Sequence, residues 1–238
     1  MKAETLRLFQ TLPHPCGYFE ERIAQNLVLD PTSPQLPHSY GIALTHGYRR
    51  AGTHVYHPCC QSCHACVAAR IPISEFKPNR SQQRCSKHNT DLIQRLIPAK
   101  RDKEHFALYG KYLNFRHRGG GMDNPSSEDF DRFLYTSWSP TFFLEFRLRN
   151  KLVAAAVTDI TRHGLSAVYT YFDPDEIRRS LGTYAILSQI NLAREKGIPH
   201  LYLGYWIAGH PKMHYKADFQ PLEILEKGQW RKASEMRS

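Results

Sequence analysis

Phenols, carboxylates, ammonium groups and glycines crowd into three short clusters between Tyr169 and Phe219. The first runs from Tyr169 through Tyr171 to Asp173-Pro174-Asp175, and the second is Ser180-Leu181-Gly182-Thr183-Tyr184. The third runs from Gly204-Tyr205-Trp206 through His210, Lys212, Met213, His214, Tyr215 and Lys216 to Asp218. Together these residue types could serve attack of a nucleophile on a carbonyl. The Tyr205 phenol, beside Trp206, could donate to an oxyanion or relay a proton; a core tyrosine is the structural alternative. Asp173 could hold an incoming ammonium or accept its proton, although Asp-Pro-Asp is also an ordinary turn. A glycine in a helix's first turn, where Gly182 would sit with Thr183 and Tyr184, lets a ligand approach backbone N–H groups that lack an intrahelical partner. Close helix packing is the competing reason for a glycine there. Lys212 and Lys216 could contact phosphate while the Tyr215 phenol stacks on or bonds to a flat ring, or the segment is a solvated basic loop.

The elements that must position these groups follow from periodicity. Strands are predicted over 141–149, 152–160 and 165–172, with Asn150-Lys151 as a two-residue hairpin turn. Ser180 is the predicted N-cap of a helix carrying Ile186, Ile190 and Ala193 on one face and ending at Lys196-Gly197 and Pro199. Residues 200–207 alternate as a fourth strand. A β-β-β-α-β order whose strands meet the helix and then diverge leaves a crevice at their carboxyl ends. The amino-terminal half offers strand candidates over 22–29, 40–45, 54–57 and 67–73, joined by loops rich in proline, including Pro31, Pro34 and Pro37.

This order resembles the acyltransferase fold of the GCN5-related N-acetyltransferases, an α+β class. Tyr171-Phe172-Asp173-Pro174-Asp175, Ser180-Leu181-Gly182-Thr183-Tyr184 and Gly204-Tyr205-x-Ile207-x3-Pro211-Lys212-Met213-x-Tyr215-Lys216 are similar to the aminoacyl-tRNA protein transferases. The resemblance continues through Pro15-Cys16-Gly17-Tyr18, Tyr48-Arg49-Arg50-Ala51-Gly52 and Tyr56-His57-Pro58-Cys59-Cys60, and so covers nearly the whole chain. The short length and the Cys-Cys-x2-Cys-x2-Cys run are most similar to the bacterial branch, the aspartate/glutamate leucyltransferases, which in turn resemble eukaryotic arginyltransferases. It implies a smaller cysteine-containing module over 1–95, tightly joined to an acyltransferase-like catalytic module over 96–238. It also implies a reaction, transfer of leucine from leucyl-tRNA to the N-terminal α-amine of proteins beginning with Asp or Glu, which creates a destabilising N-terminus. In that frame Asp173, Tyr205 and Trp206 become catalytic candidates, and Gly182, Thr183, Tyr184, Gly204, Lys212, Tyr215 and Lys216 candidates for aminoacyl-tRNA binding. An acidic acceptor residue needs cations, because a buried unpaired carboxylate is costly; Arg49, Arg50 and Arg70 are the candidates. Leucine calls for an apolar pocket and arginine for an acidic one, and Asp173, Asp175 and Asp218 keep an arginine donor open.

Charge agrees with a polyanionic partner: the 238 residues carry a formal +10, with a sequence pI of about 9.4. Basic residues gather at Lys77, Arg80, Arg84, Lys87, Arg95, Lys100, Arg101 and Lys103, and again at Lys111, Arg116, His117 and Arg118 before Gly119-Gly120-Gly121. No secretory signal or membrane segment is visible, so a cytoplasmic protein with reduced cysteines is expected. Spacing alone lets Cys59, Cys60, Cys63 and Cys66 converge on zinc or an iron–sulfur cluster, whereas small buried thiols also simply pack. In eukaryotic relatives a cluster is associated with two adjacent cysteines and a Cys-x2-Cys pair; here Phe19 stands at the second position of that pair. The reaction implied requires no cofactor. Two other classes compete: a small-molecule acetyltransferase, for which 178–183 holds only part of a pyrophosphate loop, and a non-catalytic metal-containing RNA-binding module.

Overall fold

The computed structural model describes residues 6–116 and 124–234, so the stretch from His117 to Gly121 lies outside the described residues. β1 (Leu8–Gln10), β2 (His14–Pro15), β3 (Ile23–Ala24) and β4 (Asn26–Leu29) lead into α1 (Leu36–Thr45) and the hairpin β5 (Arg49–Ala51) and β6 (His54–Pro58). β7 (Val67–Pro72), α2 (Arg80–His88), β8 (Ile93–Pro98), α3 (Lys103–Arg116) and α4 (Ser127–Leu134) follow. The carboxyl-terminal part adds β9 (Thr141–Leu148), β10 (Lys151–Thr161), β11 (Gly164–Phe172), a 3-10 turn (Pro174–Arg179), α5 (Leu181–Glu195), β12 (His200–Trp206), β13 (Glu223–Glu226) and β14 (Gln229–Lys232).

The predicted β-β-β-α-β order is present as β9, β10, β11, α5 and β12. The hairpin turn is Arg149-Asn150, one residue earlier than expected, and both residues have positive φ, as a type I′ turn requires. Residues 40–45, expected as a strand, lie in α1, where Tyr40, Ala43 and Leu44 are buried at i, i+3, i+4. Ser180 does not cap α5 with its side chain; it adopts a left-handed conformation (φ 52°, ψ 46°) between the 3-10 turn and the helix.

One eight-stranded sheet, ordered β14-β13-β7-β12-β11-β10-β9-β8, spans the molecule. Side chains alternate across it. Ala155 and Val157 of β10 pack with Leu108, Tyr109 and Leu113 of α3 and Phe130 of α4, while Ala154 and Ala156 pack with Leu181, Tyr184 and Ala185 of α5. Helices therefore cover both faces. A four-stranded sheet, β1-β4-β6-β5, packs with α1 beside it. The anticipated boundary at 95/96 cuts through β8, and β7 lies between β13 and β12, so the two halves share one sheet.

Candidate functional site

β11 and β12 form the parallel pair of this sheet, and they pair only at Leu165↔Leu201 and Ser166↔Tyr202 before separating. Beyond those rungs the two strands diverge toward their carboxyl ends, leaving a crevice between them. A register shift between Tyr202 and Gly204 bends β12, with Gly204 at φ +72°. Arg49 of β5 reaches into the gap: its Nη2 donates to Val168 O of β11 at 3.1 Å. The positive φ favours glycine, and a Cβ on Gly204 would crowd the guanidinium at 3.1–3.3 Å. From the following turn, Lys216 Nζ donates to Tyr205 O at 2.5 Å. Two cations thus converge on Gly204-Tyr205, one half-buried and the other 3% exposed. Among the described residues neither has a carboxylate partner, and burial, reinforced by Arg49 and only partly offset by Cys66, lowers the Lys216 ammonium to about 7.

The start of α5 lies beside Phe172 at the end of β11. A Cβ at Gly182 would meet only Phe172 Cε1, at 3.8 Å, so packing does not demand the glycine and the first-turn backbone stays open to approach. Thr183 is half-buried beside it, whereas Tyr184 is buried and its hydroxyl accepts from Gln94 Nε2 at 3.0 Å. Tyr215 is 46% exposed and Lys212 is exposed, with its backbone N–H donating to His210 Nδ1. His210 in turn lies edge-on to Tyr18 and Phe19 of the amino-terminal loop, each 5.7 Å away.

Other expected site residues are committed to structure. The Tyr205 hydroxyl, 1% exposed, lies 3.0 Å from Gly47 O and 2.8 Å from Tyr56 O, and its single proton bonds one carbonyl at a time. It fastens β12 to the small sheet, and burial holds its pKa well above the ordinary phenol value. Trp206 packs against the core cluster around Leu201, and its buried Nε1 finds no acceptor among the described residues. Asp173 is no base. Burial pushes its pKa up, but Lys111 Nζ at 2.5 Å, Lys151 Nζ at 2.8 Å and the Asp175 N–H outweigh this and hold it at about 2. Arg50 is gripped by the Asp159 carboxylate at 2.7 and 2.9 Å and also bonds Gly52 O and Leu134 O. Arg70 pairs with Glu223 and stacks on Trp230. Of the three candidate acceptor arginines, only Arg49 reaches the crevice.

Lys111, one of the gathered basic residues, anchors Asp173 and Asp175. No sequence signal links it to Lys151 across the sheet. Tyr169, which opens the first of the three polar clusters, has a buried hydroxyl with no partner among the described residues. The basic stripe on α2 was legible: Arg80, Arg84 and Lys87, at i, i+4, i+7, are all exposed.

Residues 14–84 match the family described as arginine-tRNA-protein transferase, N terminus, and residues 104–226 its C terminus. The aspartate/glutamate leucyltransferase of Stenotrophomonas maltophilia is 52% identical over 95% of this chain and 93% of its own. The chain belongs to the arginine-tRNA-protein transferase family. Aspartate/glutamate leucyltransferases of Hahella chejuensis (46% identical, 95% of this chain, 97% of that one) and Xylella fastidiosa (47%, 96% and 92%) are similar relatives. The carboxyl-terminal domain of a lysylphosphatidylglycerol synthetase from Agrobacterium fabrum aligns with a TM-score of 0.48 at 14% identity, covering 74% of this chain and 52% of that one.

The cysteine run makes local contacts of its own. Among the described residues no group of three or more His, Cys, Asp or Glu side chains is placed to hold a metal ion. Cys60 Sγ turns toward Gln25 O, and Cys63 Sγ accepts from Arg22 Nη1 at 3.1 Å. Burial, with neighbouring Cys16, Cys63 and Cys60, raises the Cys66 thiol to about 11. Phe19, at the position of the eukaryotic second cysteine, carries the Arg22 guanidinium 4.0 Å above its ring. Among the described residues no helix is long and apolar enough to cross a membrane.

Proposed function

We propose that this transferase moves leucine from leucyl-tRNA to the free α-amine of cytoplasmic proteins beginning with Asp or Glu, marking them for degradation. The observation that carries this reading is the 52% identity, over nearly the full length, to a protein of that name. The geometry supports it. A crevice between diverging strands can seat the aminoacyl ester, the half-buried Gly182 turn with the exposed Lys212 and Tyr215 would receive the terminal nucleotide, and the stripe on α2 suits tRNA phosphates. The amine nitrogen forms a bond to the ester carbonyl carbon, the tetrahedral intermediate collapses with breakage of the C–O bond, and the amine proton passes to the ribose hydroxyl. The ester is already activated, and an α-amine with a pKa of about 7.7–8.0 is roughly one-quarter neutral at pH 7.4. The chemistry therefore demands no ATP or metal. Placement of two substrates in contact supplies on the order of 7–11 kcal/mol.

tRNAs charged separately with labelled leucine, phenylalanine and arginine, offered with peptides beginning with Asp, Glu, Lys or Arg, test this directly. Leucine is expected on the Asp and Glu peptides. Transfer only to Lys or Arg starts would overturn the acceptor assignment, and exclusive use of arginine the donor assignment.

A further inference from the structure

We propose that Arg49 and Lys216 together form the subsite that grips the side-chain carboxylate of the acceptor's first residue. The inference rests on the transfer reading above and names the part of the crevice that selects the substrate. Arg49 is contributed by the small sheet and Lys216 by the turn after β12, yet both end at Gly204-Tyr205, where β12 leaves β11. Each makes one hydrogen bond to backbone among the described residues, Arg49 to Val168 O and Lys216 to Tyr205 O. A guanidinium has five N–H donors and an ammonium three, so most of their capacity is unspent. Leaving charged donors unmatched in a buried position is costly, and placing them beside one another adds repulsion. Every other buried arginine discussed above has its carboxylate; this pair does not. An anionic group would neutralise part of the excess charge and take the unused donors.

Lys216 is 3% exposed, so little of its ammonium is open to a phosphodiester backbone lying on the surface. Phosphates have the exposed Lys212, Arg80, Arg84 and Lys87 instead. Asp and Glu differ by one methylene, and two cations on different elements can hold either. An arriving Lys or Arg side chain would meet two like charges, so the same pair rejects basic starts.

The test uses the full-length enzyme and fluorescein-labelled peptides beginning with Asp, Asn, Glu or Gln. Equilibrium binding is measured by anisotropy without tRNA, and steady-state transfer with leucyl-tRNA. Wild type is expected to bind Asp and Glu peptides over their amides by about 10- to 100-fold. Arg49→Gln and Lys216→Met should each erase most of that preference and raise the acceptor KM, leaving the KM for leucyl-tRNA unchanged. Lys216→Arg should retain part of the preference, and circular dichroism verifies the fold of each variant. A rise in the leucyl-tRNA KM instead would make the pair a phosphate site, and a fall in kcat with unchanged acceptor binding would make Lys216 a base; either overturns the proposal. Carboxylate-selective binding that depends on both residues, with no leucine transferred, would keep the subsite and reject the donor.

Discussion

Lys216 shows how much a single residue's chemistry depends on its place in the fold. Arg49 from β5, Cys66 ahead of β7, the Tyr205 carbonyl and the adjacent Tyr215 surround it, and no carboxylate among the described residues does. With its ammonium lowered to about 7, the free enzyme loses the positive charge as pH rises through neutrality. The acceptor amine becomes neutral only as pH rises through about 7.7–8.0. kcat/KM for Asp-starting peptides should therefore be bell-shaped with a narrow maximum near pH 7.5, and Lys216→Arg, which stays charged, should remove the alkaline limb. A wild-type profile that climbs to a flat plateau at pH 9 would contradict this. Stability has the same origin: the unfolded chain holds the proton up to the ordinary lysine value, so this group's penalty is full below about 7 and is relieved as pH rises above it. Tyr205 makes the opposite case. Sequence pattern offers it as an oxyanion donor or proton relay, with a core tyrosine nearly as good a reading, and the two carbonyls beside its hydroxyl favour the core. Tyr205→Phe should cost about 1–2 kcal/mol in urea unfolding while kcat changes little; a loss of 100-fold or more in kcat at unchanged stability would restore the catalytic role.

At the scale of elements, α5 and its four flanking strands were legible because their apolar periods are long and their ends carry glycine or proline. What surrounds the helix start was not legible, since Lys111, Lys151 and Asp173 come from α3, β10 and the end of β11. Ser180 suits a cap by residue type, but it follows the 3-10 turn at φ 52° and makes no side-chain cap hydrogen bond. Gly182 separates structure from function most clearly. A Cβ there would touch Phe172 at 3.8 Å, an ordinary contact, and alanine is the better helix former. Gly182→Ala should thus stabilise the fold by about 0.5–1 kcal/mol. If the first-turn backbone receives the donor end, the same change should raise the leucyl-tRNA KM severalfold with the peptide KM unaltered. Thermal melts and steady-state kinetics read the two effects independently, and a destabilised variant would show that the glycine is there for packing.

For the whole molecule, the resemblance to the transferase family implies a joint near residue 95, and the strand order shows why periodicity could not place it. β7 is short and lies far in sequence from β12 and β13, its partners in the large sheet, so nothing local announces the pairing. The joint is closed a second time by Arg50, whose guanidinium crosses from the small sheet to Asp159 of β10, with Tyr40 Oη donating to the same carboxylate at 2.7 Å. Both charged side chains are fully buried. Removing one partner leaves the other charge unmatched, so Arg50→Met or Asp159→Asn should cost about 3–5 kcal/mol, a large share of an ordinary domain's stability. The double variant Arg50→Met/Asp159→Leu should lose less than the two single losses combined, because it leaves no orphaned charge. A fragment of residues 96–238 lacks β7 and should not fold, since β12 and β13 would then face an empty place in the sheet. Urea unfolding of the full chain, followed in parallel by far-ultraviolet circular dichroism and tryptophan fluorescence, should accordingly give one coincident transition. Two resolved transitions, or a folded 96–238 fragment, would show that the halves are independent and that Arg49 is delivered to the crevice by docking rather than by a shared core.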